Sequence, residues 1–434
     1  MADDPRPGAD ATFDVVVIGG GPAGSAAAVT LAYDGRSVLV VNNRIVSGRR
    51  ISSVETSTPE RRAFGIGEGG PPGLDRAVDQ VFGAGTFVRE DHLVSFGNRS
   101  CWGSDHPVDT DFMFNPFGPG WHLDRVAFDA RLRDRAEAAG ATVWPGTVRE
   151  ATAHADAERL QHDEAGRWHR ERRWTLTIES AAGAREVDAS IVCDATGRAT
   201  TFARRHGGHL ITHDRLVAAV AVYDATSPAP DAAPSRPGPA DEPGTGSSED
   251  TGSGVVVDDL DSLTTIEAVP DGWWYTAAIP DRRRVVAFFT DRDLCPNEVR
   301  SIEGFGRLLA GTELVGDVVA GSPLRYELRQ PMLFCAAGSA WLERPSGPGW
   351  LATGDAAACF DPLSSQGILT AILMGRTAGD AAISLLVDPD AGTDAYDTRY
   401  RAVIDRFLDE HRTMYDLERR WPDAPFWARR HARP

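Results

Sequence analysis

Asp14-Val-Val-Val-Ile-Gly-Gly-Gly-Pro-Ala-Gly24 is the stretch on which the fold of this chain turns. Four apolar residues read as a buried parallel strand. The spacing Gly19-x-Gly21-x-x-Gly24 follows, then an alanine-rich helix from Ser25 to Tyr33. Strand, glycine turn and helix in that order are what a dinucleotide-binding βαβ unit requires. Gly19 allows the tight turn, Gly21 lets the backbone approach a pyrophosphate, and Gly24 lets helix pack on strand. Pro22 and Ala23 begin a helix whose N-terminus attracts phosphate charge. The turn leaves open which dinucleotide it serves.

The second strand, Ser37 to Val41, should end in an acidic residue that holds the ribose hydroxyls of the adenosine. Asn42 stands there instead, followed by Asn43. An amide still hydrogen-bonds a hydroxyl, but it is neutral and binds less strongly than a carboxylate. A plain strand-capping role for Asn42 is the alternative.

The 434 residues suffice for two interleaved domains, and 42% of them are hydrophobic, as in a globular protein. No stretch approaches the ~20 apolar residues that span a bilayer. The Asp- and Pro-rich start does not read as an export signal. A net charge of −18 argues against nucleic acid as a partner. Cys101, Cys193, Cys295, Cys335 and Cys359 are scattered and odd in number, which fits reduced thiols in the cytoplasm and no metal site. Every basic residue counted is arginine; the chain has no lysine, so Schiff-base and P-loop lysine chemistry are excluded.

Further along, Leu123 to Ala139 reads as an amphipathic helix with Phe128, Leu132 and Ala136 on one face. Trp174–Ile178 and Arg185–Val187 read as a hairpin, and Ala189–Cys193 as a buried strand ending at Asp194-Ala-Thr-Gly197. Val217–Tyr223 is an expected strand. Asp224 to Gly254, rich in Pro, Gly, Ser and acidic residues, is an expected disordered insertion. Val255–Val257, Leu263–Ile266, Trp273–Ile279 and Val285–Phe289 read as successive antiparallel strands, a second sheet set between pieces of the first domain. Gly349–Thr353 is a last parallel strand, with helices expected at Gly367–Leu386 and Asp394–Arg419.

Gly354-Asp355 follows that last strand directly. The glycine admits a ligand close to the backbone, and the aspartate can accept from a sugar or ribityl hydroxyl. Asp361-Pro-Leu-Ser-Ser-Gln-Gly367 then enters a helix whose N-terminus suits the anionic N1–C2=O edge of a reduced flavin, with Pro362, Gln366 and Gly367 against it. An ordinary strand–loop–helix turn is the structural alternative.

Gly19–Gly24, Asp194-Ala-Thr-Gly-Arg198, Gly354-Asp355 through Gly367, and Arg125 in Leu123-Asp-Arg-Val-Ala-Phe-Asp129 together resemble the flavin-dependent monooxygenase, halogenase and geranylgeranyl-reductase superfamily. The resemblance implies a Rossmann-like, glutathione-reductase-type FAD domain interleaved with an antiparallel substrate domain and C-terminal helices. It implies FAD rather than NAD, with Arg125 and Asp194 beside the cofactor. The implied division is 1–75, 115–212 and 341–390 for the FAD domain, 76–114 and 213–340 for the substrate domain, and 391–434 for a C-terminal helical region.

Cys101-Trp-Gly-Ser104, Asn115 through Arg125, Gly272-Trp-Trp-Tyr-Thr-Ala-Ala-Ile-Pro280 and Asp361 through Ile368 look like flavoproteins that mature peptidyl quinone cofactors. This narrower resemblance implies hydroxylation of an aromatic substrate, tryptophan in a peptide or protein, through a flavin C4a-hydroperoxide. Reduced flavin would come from NAD(P)H or from a partner reductase. Such chemistry positions a ring and excludes water, so it singles out no catalytic residue. Trp102, Trp273, Trp274, Tyr275, Ser364 and Ser365 are the candidates for the substrate pocket, with Trp121 a further aromatic. Trp273 and Tyr275 share one strand face and Trp274 the other.

A halogenase reading meets three departures. Arg76 stands where the essential lysine falls, and it stays protonated. The Trp-x-Trp-x-Ile-Pro motif is altered, and the glutamate of tryptophan halogenases would fall on Ser364. A halogenase of phenol, pyrrole or indole, a lipid alkene reductase, and a binding protein that has lost catalysis remain as alternatives.

Overall fold

The structure is a computed structural model. It describes residues 11–43, 67–154, 160–162, 168–170, 174–228, 262–322, 324–328, 332–388 and 391–432. The expected Val255–Val257 strand, most of the Asp224–Gly254 insertion and the first ten residues lie outside them.

Five parallel strands make the core of the first sheet, running in the spatial order Trp350–Ala352, Gly183–Asp194, Ala11–Ile18, Val38–Asn42, Thr142–Pro145. In chain order that is 5-4-1-2-3. The order reverses between Ala11–Ile18 and Gly183–Asp194, the crevice where open α/β sheets bind ligands. Val15, Val16 and Val17 are wholly buried, as expected of a strand covered on both faces. The expected hairpin is present: Trp174–Ser180 pairs antiparallel with Gly183–Asp194 and with Thr147–Ala153.

The second sheet has the order Leu324–Leu328, Leu216–Pro228, Arg283–Asp291, Gly272–Ile279, Leu263–Val269, Gly97–Cys101, Val108–Asp111. It draws residues from either side of the third Rossmann strand, so the two sheets are interleaved along the chain. One face packs on the C-terminal helices through Trp273, Ala277 and Phe289. The opposite face packs Trp274, Val286 and Phe288 on the helix Ile302–Leu309. The strand expected to stop at Tyr223 continues to Pro228, because Asp224 and Ala225 find partners in Glu327 and Tyr326. The insertion therefore begins later than its composition suggests.

Among the described residues one helix, Gly367–Val387, is by length and composition long and apolar enough to cross a bilayer, and its small residues are buried in the fold. It packs along Pro22–Tyr33. A Cβ on Gly375 would overlap the Ala23 carbonyl, and one on Gly379 would stand 2.8 Å from Thr30 Cβ. This small-residue seam is what brings the start of the last core helix to the glycine turn.

Candidate active site

At the sheet's reversal, Ile18 and Asp194 are paired neighbours at the ends of adjacent strands. Gly19 turns away at φ +112°, and a Cβ there would run into the Ala195 carbonyl. A Cβ on Gly24 would overlap the Gly19 carbonyl, whereas Gly21 faces open space. Gly24 is therefore required by packing and Gly21 is free to face a ligand. The helix that begins at Pro22 has no side-chain cap, so its first N–H groups point at that space. Asn42 is buried at the end of its strand, beside Gly20. Arg133 donates to the Gly20 carbonyl at 3.0 Å, a contact that no motif announced.

Asp124 places Arg125. Its side chain accepts from Val126 and Ala127 N–H and starts the helix Arg125–Ala138, with Arg125 as first residue. The Arg125 guanidinium is paired with Asp129 at 3.1 Å and donates to the Gly67 carbonyl at 2.8 Å. Gly354 turns at φ +58° after its strand, and a Cβ there would stand 2.5 Å from Ala23 Cβ. The two ligand-facing turns are thus pressed together. Asp355 follows, 3.7 Å from Arg198 Nε. Arg198 also donates to the carbonyls of Gly338, at 2.6 Å, and Phe360, at 2.8 Å. It ties Asp355 to the segments around Gly338 and Phe360, although only its place in the Asp194–Arg198 motif hinted at a role.

Asp194 departs from expectation. Its side chain is 0% exposed. One oxygen accepts from Thr196 N–H and Oγ1, the other from Phe202 and Ala203 N–H. Burial pushes its pKa up, and these four donors oppose the shift. The carboxylate shapes the turn after its strand and has nothing left for a cofactor. Its neighbour Cys193 is equally enclosed, and burial pushes that thiol up to about 12, an inert group.

Asp361 is likewise internal. Its Oδ1 accepts from Leu363 N–H and its Oδ2 from the Tyr415 hydroxyl, at 2.9 and 2.7 Å. His411 Nε2 lies 3.4 Å away, close enough for charge attraction but not aligned for a hydrogen bond. The turn Pro362–Ser364 follows, then Ser365 at φ +52°, a left-handed conformation unusual for serine. Ser364 Oγ accepts from Gln366 N–H at 3.4 Å. The helix starting at Gly367 has no side-chain cap either, and a Cβ on Gly367 would meet nothing within 4 Å. Two uncapped helix N-termini therefore face ligand space, one suited to a pyrophosphate and the other to an anionic ring edge. These residues fit an FAD molecule.

Of the expected pocket aromatics, Trp102, Trp273 and Trp274 belong to the core. Trp273 stacks on Phe289 at 3.9 Å and donates to Tyr415 Oη at 3.1 Å. Trp274 packs on Phe288 and Phe305, on the opposite face. Trp102 donates to the Met414 carbonyl and lies edge-on to Trp427. Trp121 packs on Phe87. Burying indole rings stabilises the sheet–helix contact, and here that outweighs any use as a substrate wall. Tyr275 differs: it is partly exposed, and a Cβ on Gly69 would stand 3.8 Å from both Tyr275 Oη and Ser365 Oγ. Three segments distant in sequence meet at that point.

Residues 14–61 match the FAD dependent oxidoreductase family model. Over 430 residues, 97% of each chain, the protein is 27% identical to LodB of Marinomonas mediterranea, described as an FAD-dependent oxidoreductase. Its fold matches the myxobacterial chondrochloren halogenase CndH with a TM-score of 0.73 at 19% identity, covering 98% of this chain and 86% of that one. It also matches the peptidyl tryptophan dihydroxylase QhpG with a TM-score of 0.67 at 21% identity, covering 98% and 80%.

Proposed function

We propose that this chain, an FAD-dependent oxidoreductase, belongs with the flavin halogenases and monooxygenases and is a monooxygenase which hydroxylates an aromatic ring, that of tryptophan within a peptide or protein. The observation that carries this reading over halogenation is the lack of any lysine in the chain. Arg76, at the corresponding place, is exposed on the helix Leu74–Phe82 and donates to the Pro116 carbonyl at 3.2 Å. A guanidinium stays protonated and cannot carry halogen as an amine does, and this one is engaged at the surface. The likeness to LodB along the whole chain and to the fold of a peptidyl tryptophan dihydroxylase supports a peptide-borne substrate.

In this reading the Gly19–Gly24 turn holds the pyrophosphate, Asn42 the adenosine ribose, and Arg125 with Asp355 the ribityl side. The helix starting at Gly367 stabilises negative charge on the ring edge. Bound FAD supplies electron storage and oxygen activation, with NAD(P)H or a reductase as electron source. The protein's own work is to hold the aromatic ring near Gly69, Tyr275 and Ser365 and to keep water out.

The test is incubation of the FAD-loaded protein with a reductant, oxygen and tryptophan-bearing peptides, with chloride and bromide present, read by mass spectrometry. Addition of oxygen is expected. Halogen addition, or reoxidation of the reduced protein by a polyprenyl alkene without oxygen, would replace this reading with one of its rivals.

A further inference from the structure

The stretch that leads into the strand Gly120–His122 carries large apolar side chains on the outside of the fold. Phe114 is 91% exposed, Met113 72%, Phe117 58% and Phe96 55%. The loop that bears three of them is held from within. Asp111 Oδ1 accepts from Met113 N–H at 2.6 Å, and Asn115 Oδ1 accepts from Phe117 N–H at 3.0 Å. Phe112 N–H donates to the Phe96 carbonyl at 2.7 Å, which sets Phe96 beside the loop. Phe112 turns inward, where a Cβ on Gly120 would stand 3.2 Å from its ring. The loop's inner side is thus already anchored, and the outward side chains add nothing to that packing. Exposed apolar side chains gathered in one place mark a surface that another molecule covers.

This surface adjoins the place proposed for the aromatic ring. The strand Gly120–His122 pairs antiparallel with Gly69–Gly70, and a Cβ on Gly73 would stand 3.2 Å from Phe117 Cβ. Gly69, in turn, neighbours Tyr275 Oη and Ser365 Oγ. The chain from Gly69 to Gly73 spans at most about 14 Å, the length of about four extended residues. Charge then decides what covers the surface. Residues 89–118 carry Glu90, Asp91, Asp105, Asp109 and Asp111 against Arg89 and Arg99, in a chain of net charge −18. Arg99 neutralises Asp109, Arg420 is shared between Asp105 and Glu418, and Arg76 adds a cation beside Pro116. The balance stays acidic. A second copy would set this acidic surface against itself, and an anionic membrane would repel it. A basic segment meets neither obstacle.

We propose that Phe96, Met113, Phe114 and Phe117 form a docking surface for the protein or peptide that bears the tryptophan, and that the docked part is a basic segment with apolar side chains about four or five residues from that tryptophan. The inference rests on the monooxygenase reading and names its substrate more closely. The apolar side chains supply the contact area, and the acidic surroundings steer the basic segment onto it. Recognition of a peptide over a free amino acid then lies outside the site of chemistry, on a surface that free tryptophan is too short to span.

The experiment compares wild type with the double variant Met113→Ser, Phe114→Ser, whose exposed positions leave the fold intact, as an unchanged melting temperature would verify. Binding is read by fluorescence anisotropy on the oxidised proteins, without turnover. The probes are three labelled peptides with one tryptophan each. The first carries Leu-Phe at the stated spacing among arginines, the second has glutamates for the arginines, and the third has serines for Leu-Phe. Wild type should bind the first peptide, less tightly as salt rises, and the other two at least about tenfold more weakly. The double variant should lose about tenfold or more on the first peptide. The proposal is overturned if wild type binds none of the peptides, if it binds the acidic one as well as the basic one, or if the variant binds like wild type. It is also overturned if wild type forms a dimer in sedimentation, or pellets with vesicles containing phosphatidylglycerol, and the variant does not. Because binding is measured without chemistry, the two readings fail separately. Docking without hydroxylation of the first peptide counts against the monooxygenase reading alone, and hydroxylation that persists with an inert surface counts against docking alone.

Discussion

Replacing Tyr415 with Phe removes one oxygen atom that serves two buried partners. The hydroxyl donates to Asp361 Oδ2 at 2.7 Å and accepts from Trp273 Nε1 at 3.1 Å. Tyr415 and Trp273 are each 1% exposed and Asp361 2% exposed, so water cannot replace the lost atom without rearrangement. A hydrogen bond to a charged group contributes about 1.5–3 kcal/mol, and stranding a buried indole N–H adds about 1 kcal/mol or more. The ring itself remains, so packing changes little. The expected loss is about 2–4 kcal/mol, read as the change in urea midpoint multiplied by an unchanged m-value. A second signature follows from Asp361. Burial pushes its carboxyl up, but the nearby His411, Leu363 N–H and the Tyr415 hydroxyl more than offset that and hold it below the usual carboxylate range. A carboxyl depressed on folding adds stability above its unfolded pKa of about 3.9 and loses it as pH falls through the lower folded value. Without the hydroxyl the folded value rises and the stability increment shrinks. Acid unfolding of Tyr415→Phe should therefore begin at higher pH than in wild type. A loss under about 0.5 kcal/mol, the usual range of an indifferent substitution, together with an unmoved acid midpoint would refute the claim that this hydroxyl secures the Asp361 turn.

The two ligand-facing glycines should separate on substitution. Gly24→Ala should lower the melting temperature of the FAD-free protein, because its methyl meets the Gly19 carbonyl, whereas Gly21→Ala should leave it nearly unchanged and weaken FAD binding in a fluorescence titration. Asp194→Asn turns one acceptor oxygen into a donor facing N–H groups, and should cost about 2–4 kcal/mol with or without FAD in chemical denaturation. Equal destabilisation in both states is the mark of a structural carboxylate. Glu267 accepts from Glu313, Leu314 and Val315 N–H at 2.8–2.9 Å and anchors the helix Leu314–Ala320. Glu267→Ala should cost about 2 kcal/mol or more and deprotect those amides in hydrogen exchange.

The opening βαβ unit was legible because all its signals are local. A valine run, a glycine spacing and an alanine-rich helix each act within a few residues, and the structure repeats them at the expected places. The hairpin Trp174–Asp194 and the helix at Arg125 were legible for the same reason: strand alternation and the helical spacing of Phe128, Leu132 and Ala136 are short-range patterns. The long-range assignments fared differently. Asp194 and Asp361 stand in motifs that suggest ligand contact, yet each carboxylate is consumed by backbone and side-chain donors that the fold brings to it. The three tryptophans looked like a pocket wall, yet the C-terminal helices fold back over two of them and the helix Ile302–Leu309 over the third.

Residue order alone determined the dinucleotide turn, the strand faces and the absence of lysine chemistry, since spacing and residue type suffice for these. Which polar groups remain free to meet a ligand was decided by tertiary structure. A carboxyl or an indole has the same formula whether it faces a chamber or a core, and the difference lies in what distant segments place around it. His122 and Thr264 are the clearest case: they stand 142 positions apart in sequence and come within 2.9 Å of each other only because the fold brings their strands together.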